Sequence, residues 1–176
     1  MNRVFFLVAI AFSLFIACNS TSNSKGTGDS LKFEKTTTTP FTDTVKLDSF
    51  NVSWQGTTTK GSAIVFKIIS YKGEEIYHTS INADELLKAN ENLKTEADKV
   101  NFLKNEVAYF FDEEHFLWPA VLPTEKPDKN VPDNVFYEEL KHTQLNGFNY
   151  RLGREAKVYI AWSAKENKVK IYYLLK

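Results

Sequence analysis

Cysteine is almost absent from this sequence, since Cys18 is the only one among 176 residues. No disulfide can form within the chain, and a site built on a pair of cysteines is excluded. An excess of charge is also missing, because Lys and Arg together number 22 and Asp and Glu also number 22. A chain without net charge lacks the basic surface that nucleic acids attract, so we expect no nucleic acid partner.

Motifs that carry common catalytic chemistry are missing as well. The sequence holds no Gly-x-Ser-x-Gly segment, which is typical of one large class of hydrolases. It holds no glycine-rich phosphate-binding loop, and glycine itself occurs only 7 times. Ser163 follows Trp162 in a predicted strand, where we interpret it as a pleat position and not as a nucleophile. We therefore expect binding more than catalysis, and no cofactor.

Long apolar runs are limited to one, at the beginning of the chain. Arg3 is followed by an apolar stretch from Val4 to Ala17 that only Ser13 interrupts. A positive start, a short apolar core and a small residue at its end are typical of a secretory signal peptide. We predict that residues 1–17 are this signal and that the mature protein does not span a membrane.

The segment from Leu14 to Cys18 resembles the lipobox of bacterial lipoproteins. The resemblance implies that the Cys18 thiol receives a lipid with acyl chains such as palmitate, which anchors the mature protein to a membrane. Asn19 is not the Asp that retains enterobacterial lipoproteins in the inner membrane, and no acidic residue follows before Asp29. We therefore expect an outer-membrane anchor with the domain facing the periplasm. An ordinary signal peptide with an incidental cysteine is the alternative.

A polar linker follows the predicted anchor. Residues 19–30 are small and polar, and four threonines with Pro40 extend this composition. Such a segment cannot bury a core, so we predict a flexible tether over residues 18–40. Aromatic residues make up 14% of the chain, which indicates a folded core in the remainder. Residues 41–176 have the length of a single domain.

Apolar periodicity predicts strands first and helices next. Residues 62–81 predict a β-hairpin with its turn at Gly73. Helices are predicted over 83–90 and 96–111, and Thr95 followed by acidic residues is typical of a helix cap.

Alternation of apolar and polar residues returns near the end of the chain. Asn146-Gly147 is a hairpin signal, and the alternation after it continues to Leu175. Residues 134–143 are ambiguous, and we favour a strand there. The predicted fold class is α+β, with an antiparallel sheet of about six strands and the two helices packed on one face.

The densest group of potential metal ligands is a run of four residues, Asp112, Glu113, Glu114 and His115. Carboxylates and an imidazole can hold a divalent ion, so a metal-assisted hydrolase built on this run is one alternative function. Adjacent residues at a helix end do not share a face. The simpler interpretation is that these residues form a solvent-exposed helix C-terminus. We therefore expect no bound metal. His78 and His142 would join such a site only if the fold brought them to it.

Prolines are concentrated in one segment, since four of the five lie between residues 119 and 132. Proline fixes the backbone, so residues 116–132 predict an ordered extended loop. Apolar residues on a rigid loop can anchor a protein partner, and the candidates are Trp118, Val121 and Leu122. We expect Trp118 itself to lie in the core, with recognition by the loop after it. An inhibitor or immunity-type lipoprotein is the second alternative function.

The triplet Asp43-Thr44-Val45 resembles the acceptor for O-glycosylation of envelope proteins in Bacteroidota. The resemblance implies a glycan on Thr44. Together, these features predict a lipid-anchored bacterial envelope protein that acts as a binding or interaction module, with an envelope protein as one class of partner.

Overall fold

The computed structural model describes residues 31–176 except residues 57, 89 and 91. The predicted signal peptide, the lipidation site at Cys18 and the first part of the predicted tether lie outside the described residues. The described part contains eight strands and three helices, and the strands form two antiparallel sheets of four. The α+β class is confirmed. A single sheet of about six strands is wrong, because the strands divide between two sheets.

The first sheet is a meander of consecutive strands. Its order across the sheet is β1 (Leu31–Pro40), β2 (Leu47–Gly56), β3 (Ala63–Ile69) and β4 (Glu75–Asn82). β3 and β4 form the predicted hairpin. β1 pairs with β2 along its whole length, so residues 31–40, which were assigned to the predicted tether, form a paired strand. The threonines suit this strand because β-branched side chains pack well on a pleated surface.

Two helices follow the first sheet, α1 (Ala83–Lys88) and α2 (Glu96–Tyr109). Thr95 caps α2 as predicted: its hydroxyl accepts the Asp98 N–H at 3.1 Å, and the Asp98 carboxylate accepts the Thr95 N–H at 3.0 Å. Both helices end earlier than predicted, and Phe110 and Phe111 enter the core beyond α2. Among the described helices, none is long and apolar enough to cross a membrane.

The second sheet contains the remaining strands, β5 (Phe116–Leu117), β6 (Gly147–Arg151), β7 (Lys157–Ser163) and β8 (Lys168–Leu175). Helix α3 (Asn134–Thr143) lies between β5 and β6 in the chain, so the strand predicted there is wrong. The Asp133 carboxylate begins this helix by accepting the N–H groups of Val135 and Phe136, both at 3.0 Å.

The facing sides of the two sheets share one core. The ring of Phe148 on β6 lies 5.2 Å from that of Phe66 on β3 and 5.4 Å from that of Phe50 on β2. Leu103 and Val107 of α2 join this core. α3 instead packs its buried residues against the opposite side of the second sheet. The predicted arrangement of two helices on one face of a single sheet is therefore not matched, because a third helix covers the second sheet.

Candidate functional site

A cavity of about 240 Å³ lies between the two sheets, beside α1 and α2. Its apolar wall consists of four buried side chains, Ile64, Ile81, Leu86 and Phe110. Its polar lining comes from α2, from the 3₁₀ turn Glu113–His115 and from β6 and β7. Apolar walls with a few convergent polar groups are typical of small-molecule sites. We call this space the inter-sheet cavity.

Tyr150, one of a pair of tyrosines in contact through their hydroxyls, lines one side of the inter-sheet cavity. Tyr150 of β6 lines it, and its hydroxyl oxygen lies 2.6 Å from that of Tyr77 on β4. Burial raises the pKa of both hydroxyls, and it is the largest contribution to the pKa of each. Both groups therefore stay protonated near neutral pH, and they form an uncharged bridge between the sheets.

An ion pair forms a second polar wall of the inter-sheet cavity. The Arg151 guanidinium donates from Nε to Glu106 Oε2 at 2.7 Å and from Nη2 to Glu106 Oε1. The same guanidinium lies over the ring of Phe102, 5.6 Å from its centroid. A two-pronged pair holds both side chains in one geometry, because two parallel hydrogen bonds fix the orientation of the planar groups. The cavity wall thus presents charged groups whose charges cancel.

His115 supplies the third polar group. Its Nδ1 lies 3.1 Å from the backbone oxygen of Asn149 and 3.2 Å from Asn149 Oδ1. Both partners are acceptors, so we assign the proton of the neutral ring to Nδ1. Nε2 is then an acceptor, and Glu114 Oε1 lies 3.8 Å from it. His115 can therefore accept a hydrogen bond from a molecule in the inter-sheet cavity.

The four candidate metal ligands diverge. Glu114 and His115 line the inter-sheet cavity, whereas the Asp112 carboxylate lies 3.8 Å from Lys35 Nζ and Glu113 is exposed. Successive side chains of a 3₁₀ turn point about 120° apart, which explains the divergence. Among the described residues, no group of three or more His, Cys, Asp or Glu side chains is arranged to hold a metal ion.

The candidate partner contacts also have different positions. Trp118 is 57% exposed and Leu122 is 54% exposed, whereas Val121 is only 1% exposed. The expectation that Trp118 lies in the core is wrong. β5 ends at Leu117, and the inward positions beyond it are filled by Ala120 and Val121. Val121 packs against α3, so it cannot contact a partner as predicted.

Thr44, the candidate glycosylation site, is exposed in the connection between β1 and β2. The Asp43 carboxylate accepts the N–H groups of Val45 at 2.8 Å and Lys46 at 3.1 Å, so it holds a turn around Thr44. The Thr44 side chain therefore lies in a hydrogen-bonded turn at the surface.

The other two histidines and Ser163 have separate surroundings. His78 is exposed on β4, with Nδ1 3.2 Å from a Glu75 carboxylate oxygen, and His142 is exposed on α3. Ser163 is buried and donates to the Glu139 carboxylate, whose two oxygens are both 3.1 Å away. Glu139 also accepts the Lys165 N–H at 3.1 Å, so this cluster attaches α3 to the β7–β8 turn.

The polar residues of the inter-sheet cavity other than Glu114 and His115 were not predicted. Glu106 lies between the apolar positions Leu103 and Val107 of α2, and a charged residue beside such a face is ordinary. Its partner Arg151 lies 45 positions further along the chain. No local pattern joins residues at that separation, so only the packed structure identifies them as a pair.

Comparison of the chain with protein-family models, with curated proteins and with solved structures returns no match. The inference of function therefore depends on the sequence features and on the geometry of the described residues.

Proposed function

We propose that this chain is a lipid-anchored binding protein of the bacterial envelope that takes a small amphipathic molecule into the inter-sheet cavity. The observation that carries the proposal is the combination of an apolar wall with the Glu106–Arg151 pair and the His115 ring, whose Nε2 we assign as an acceptor. Such a site favours a bound molecule through apolar burial and orients it through a few hydrogen bonds.

Size and charge narrow the class of ligand. A volume of about 240 Å³ is below the roughly 300–1,000 Å³ of sites for drug-sized molecules, so the ligand is small. Glu106 neutralises Arg151, and the exposed lining contributes Lys157 and Glu114 with opposite charges. We therefore propose a neutral ligand with an apolar body and one hydroxyl or amide donor that reaches His115.

The anchor supports the same proposal from the sequence. Cys18 is the sole cysteine and directly follows the apolar run. A lipid there would hold the domain at the outer membrane, facing the periplasm. The polar residues 19–30 would let it stand off the bilayer by about 20 Å. A binding domain in this place would meet small molecules that have crossed the outer membrane.

A matched pair of probes tests the ligand class. Benzyl alcohol carries an apolar ring and a hydroxyl donor, and toluene has the ring without the donor. We expect benzyl alcohol to bind the 18–176 chain with Cys18→Ser, and toluene to bind more weakly, in an NMR titration followed by backbone amide shifts. His115→Ala should weaken benzyl alcohol binding, and His142→Ala is the control. Equal binding of both probes to the protein and to His115→Ala would overturn the proposal.

A second candidate function is docking to an envelope protein, as an inhibitor or immunity-type lipoprotein would. The exposure of Trp118 favours it, because tryptophan is enriched among the residues that dominate binding energy at interfaces. Trp118→Ala should abolish capture of such a partner and leave benzyl alcohol binding unchanged. The metal-assisted hydrolase is a third proposal. Stoichiometric metal on the purified protein, together with its loss in His115→Ala, would favour it.

A further inference from the structure

A second cavity, of about 230 Å³, lies on the side of the second sheet that α3 covers. It shares no lining residue with the inter-sheet cavity. Its rings come from four tyrosines, Tyr137 of α3, Tyr159 of β7, and Tyr172 and Tyr173 of β8. The loop between β5 and α3 forms the rest of its wall. We call this space the tyrosine cavity.

A β-bulge explains why neighbouring tyrosines of β8 reach the same side. Ile160 pairs with Ile171 and Tyr159 pairs with Tyr173, which leaves Tyr172 without a partner on β7. The extra residue of a bulge interrupts the alternation of a strand. The Tyr159 ring lies 6.1 Å from that of Tyr172 and 5.3 Å from that of Tyr173, at interplanar angles of 72° and 83°. The Tyr172 and Tyr173 rings are therefore each close to perpendicular to the Tyr159 ring, and all three line the same cavity.

The charged lining is acidic overall. Glu125 and Asp128 contribute carboxylates, and Lys126 contributes one cation. Burial, followed by the negative charges of Glu125 and Asp128, raises the pKa of Tyr137 to about 12. Tyr137 is therefore neutral near pH 7, and the lining carries one more negative than positive charge.

The Tyr172 side chain is almost fully buried at the wall of the tyrosine cavity. Tyr172 is 3% exposed, and its hydroxyl has no hydrogen-bond partner among the described residues. The hydroxyl oxygen lies beside Gly147, which does not line the cavity, and it is itself buried. Tyr172 therefore contributes its ring to the cavity and not its hydroxyl.

We propose that the tyrosine cavity binds an alkylammonium ion. The faces of aromatic rings carry negative charge density and attract cations within about 6 Å. The carboxylates of Glu125 and Asp128 favour the same charge. This site is separate from the proposed neutral-ligand site, so either proposal can fail without the other.

Four small probes of similar size test the charge. An NMR titration of the 18–176 chain with Cys18→Ser, followed by backbone amide shifts of the residues that line the tyrosine cavity, should detect butylammonium and tetramethylammonium there. Butyrate and 1-butanol should not shift these amides, although 1-butanol belongs to the class proposed for the inter-sheet cavity. Binding of butyrate as tight as that of butylammonium would overturn the proposal, as would the absence of butylammonium binding.

Charge variants on the exposed loop provide the second test. Glu125→Gln should weaken butylammonium binding about two- to five-fold, as expected for loss of an exposed ion pair, and Lys126→Gln should strengthen it. Glu113→Gln, which removes an exposed carboxylate outside the lining, is the control for net charge. Changes of the same sign in the Glu125 and Lys126 variants would contradict a cation site.

Discussion

The hydroxyl oxygens of Tyr77 and Tyr150 lie 2.6 Å apart and join β4 of the first sheet to β6 of the second. The bridge lies beside the inter-sheet cavity, where Tyr150 forms part of the wall. A hydrogen bond between sheets fixes their separation at this point, and the volume of the cavity depends on that separation.

Removal of one hydroxyl from this bridge should destabilise the protein. Tyr150→Phe leaves the Tyr77 hydroxyl without its partner, and we expect the free energy of unfolding to fall by about 1 kcal/mol. The Tyr77→Phe and Tyr150→Phe double variant should lose less than the sum of the single losses, because no orphaned hydroxyl remains. Denaturant unfolding measures all three, and Tyr109→Phe is the control because Tyr109 is 60% exposed. Strictly additive losses would show that the hydroxyls do not interact.

Alkaline pH should destabilise the protein through its buried tyrosines. Burial raises the folded-state pKa of Tyr150 and Tyr172 above the unfolded value of about 10. Above that pH the folded state binds more protons than the unfolded state, so the free energy of unfolding falls as pH rises. Below pH 10 this contribution is fully present.

Urea unfolding between pH 9 and pH 11.5 measures the effect. The fall in unfolding free energy should be shallower in Tyr172→Phe than in the wild type, and Tyr109→Phe should match the wild type. Lys170 contributes a loss of the same sign, because its hydrogen bonds to Asp133 and Glu166 raise its pKa. The comparison therefore depends on the difference between variants and not on the total slope.

The elements that were predicted correctly depend on local signals. The hairpin of β3 and β4 follows from two apolar runs around a turn, and the start of α2 follows from the Thr95 cap. α3 was mistaken for a strand because Val135, Phe136 and Tyr137 have high strand propensity. The Asp133 cap and burial on one helical face prevail over that propensity.

The division into two sheets and both cavities depends on non-local packing. β5 has two residues, which is too short for a periodic signal, yet it begins the second sheet. The bulge at Tyr172 breaks the alternation that predicts which face a residue occupies. No local sequence pattern predicts the tyrosine cavity, because its four tyrosines come from three different elements.

Asp48 should be the most sensitive polar residue of the first sheet. Its buried carboxylate accepts the N–H groups of Thr42 at 2.7 Å, Tyr71 at 2.8 Å and Phe41 at 3.2 Å. Asp48→Ala leaves these donors unpaired, so we expect a loss of more than about 3 kcal/mol in unfolding free energy. Asp112→Ala, which removes an exposed carboxylate, should change it by less than about 0.5 kcal/mol. A loss in Asp48→Ala no larger than in Asp112→Ala would exclude the structural role.

Trp118 and Trp54 should respond differently to truncation. Trp118→Ala should leave the free energy of unfolding within about 0.5 kcal/mol of the wild type, as for a surface change. Trp54→Ala should cost about 3–5 kcal/mol, because Trp54 is fully buried and donates from Nε1 to Ser62 Oγ at 2.9 Å. Thermal or urea unfolding measures both, and an equal loss in the two variants would contradict the exposed position of Trp118.

Lipidation at Cys18 should control where the protein is found in the cell. Cys18→Ser removes the only thiol in the sequence, so we expect the variant to carry no acyl label and to accumulate as soluble protein or uncleaved precursor. Metabolic labelling with an alkyne analogue of palmitate, followed by membrane fractionation, measures both outcomes. Ser13→Ala, a change within the apolar run, is the matched control and should remain labelled. A Cys18→Ser variant that still fractionates as a lipidated membrane protein would exclude the anchor.

In the wild type, protease added to intact cells should leave the domain uncut, because we propose that it faces the periplasm.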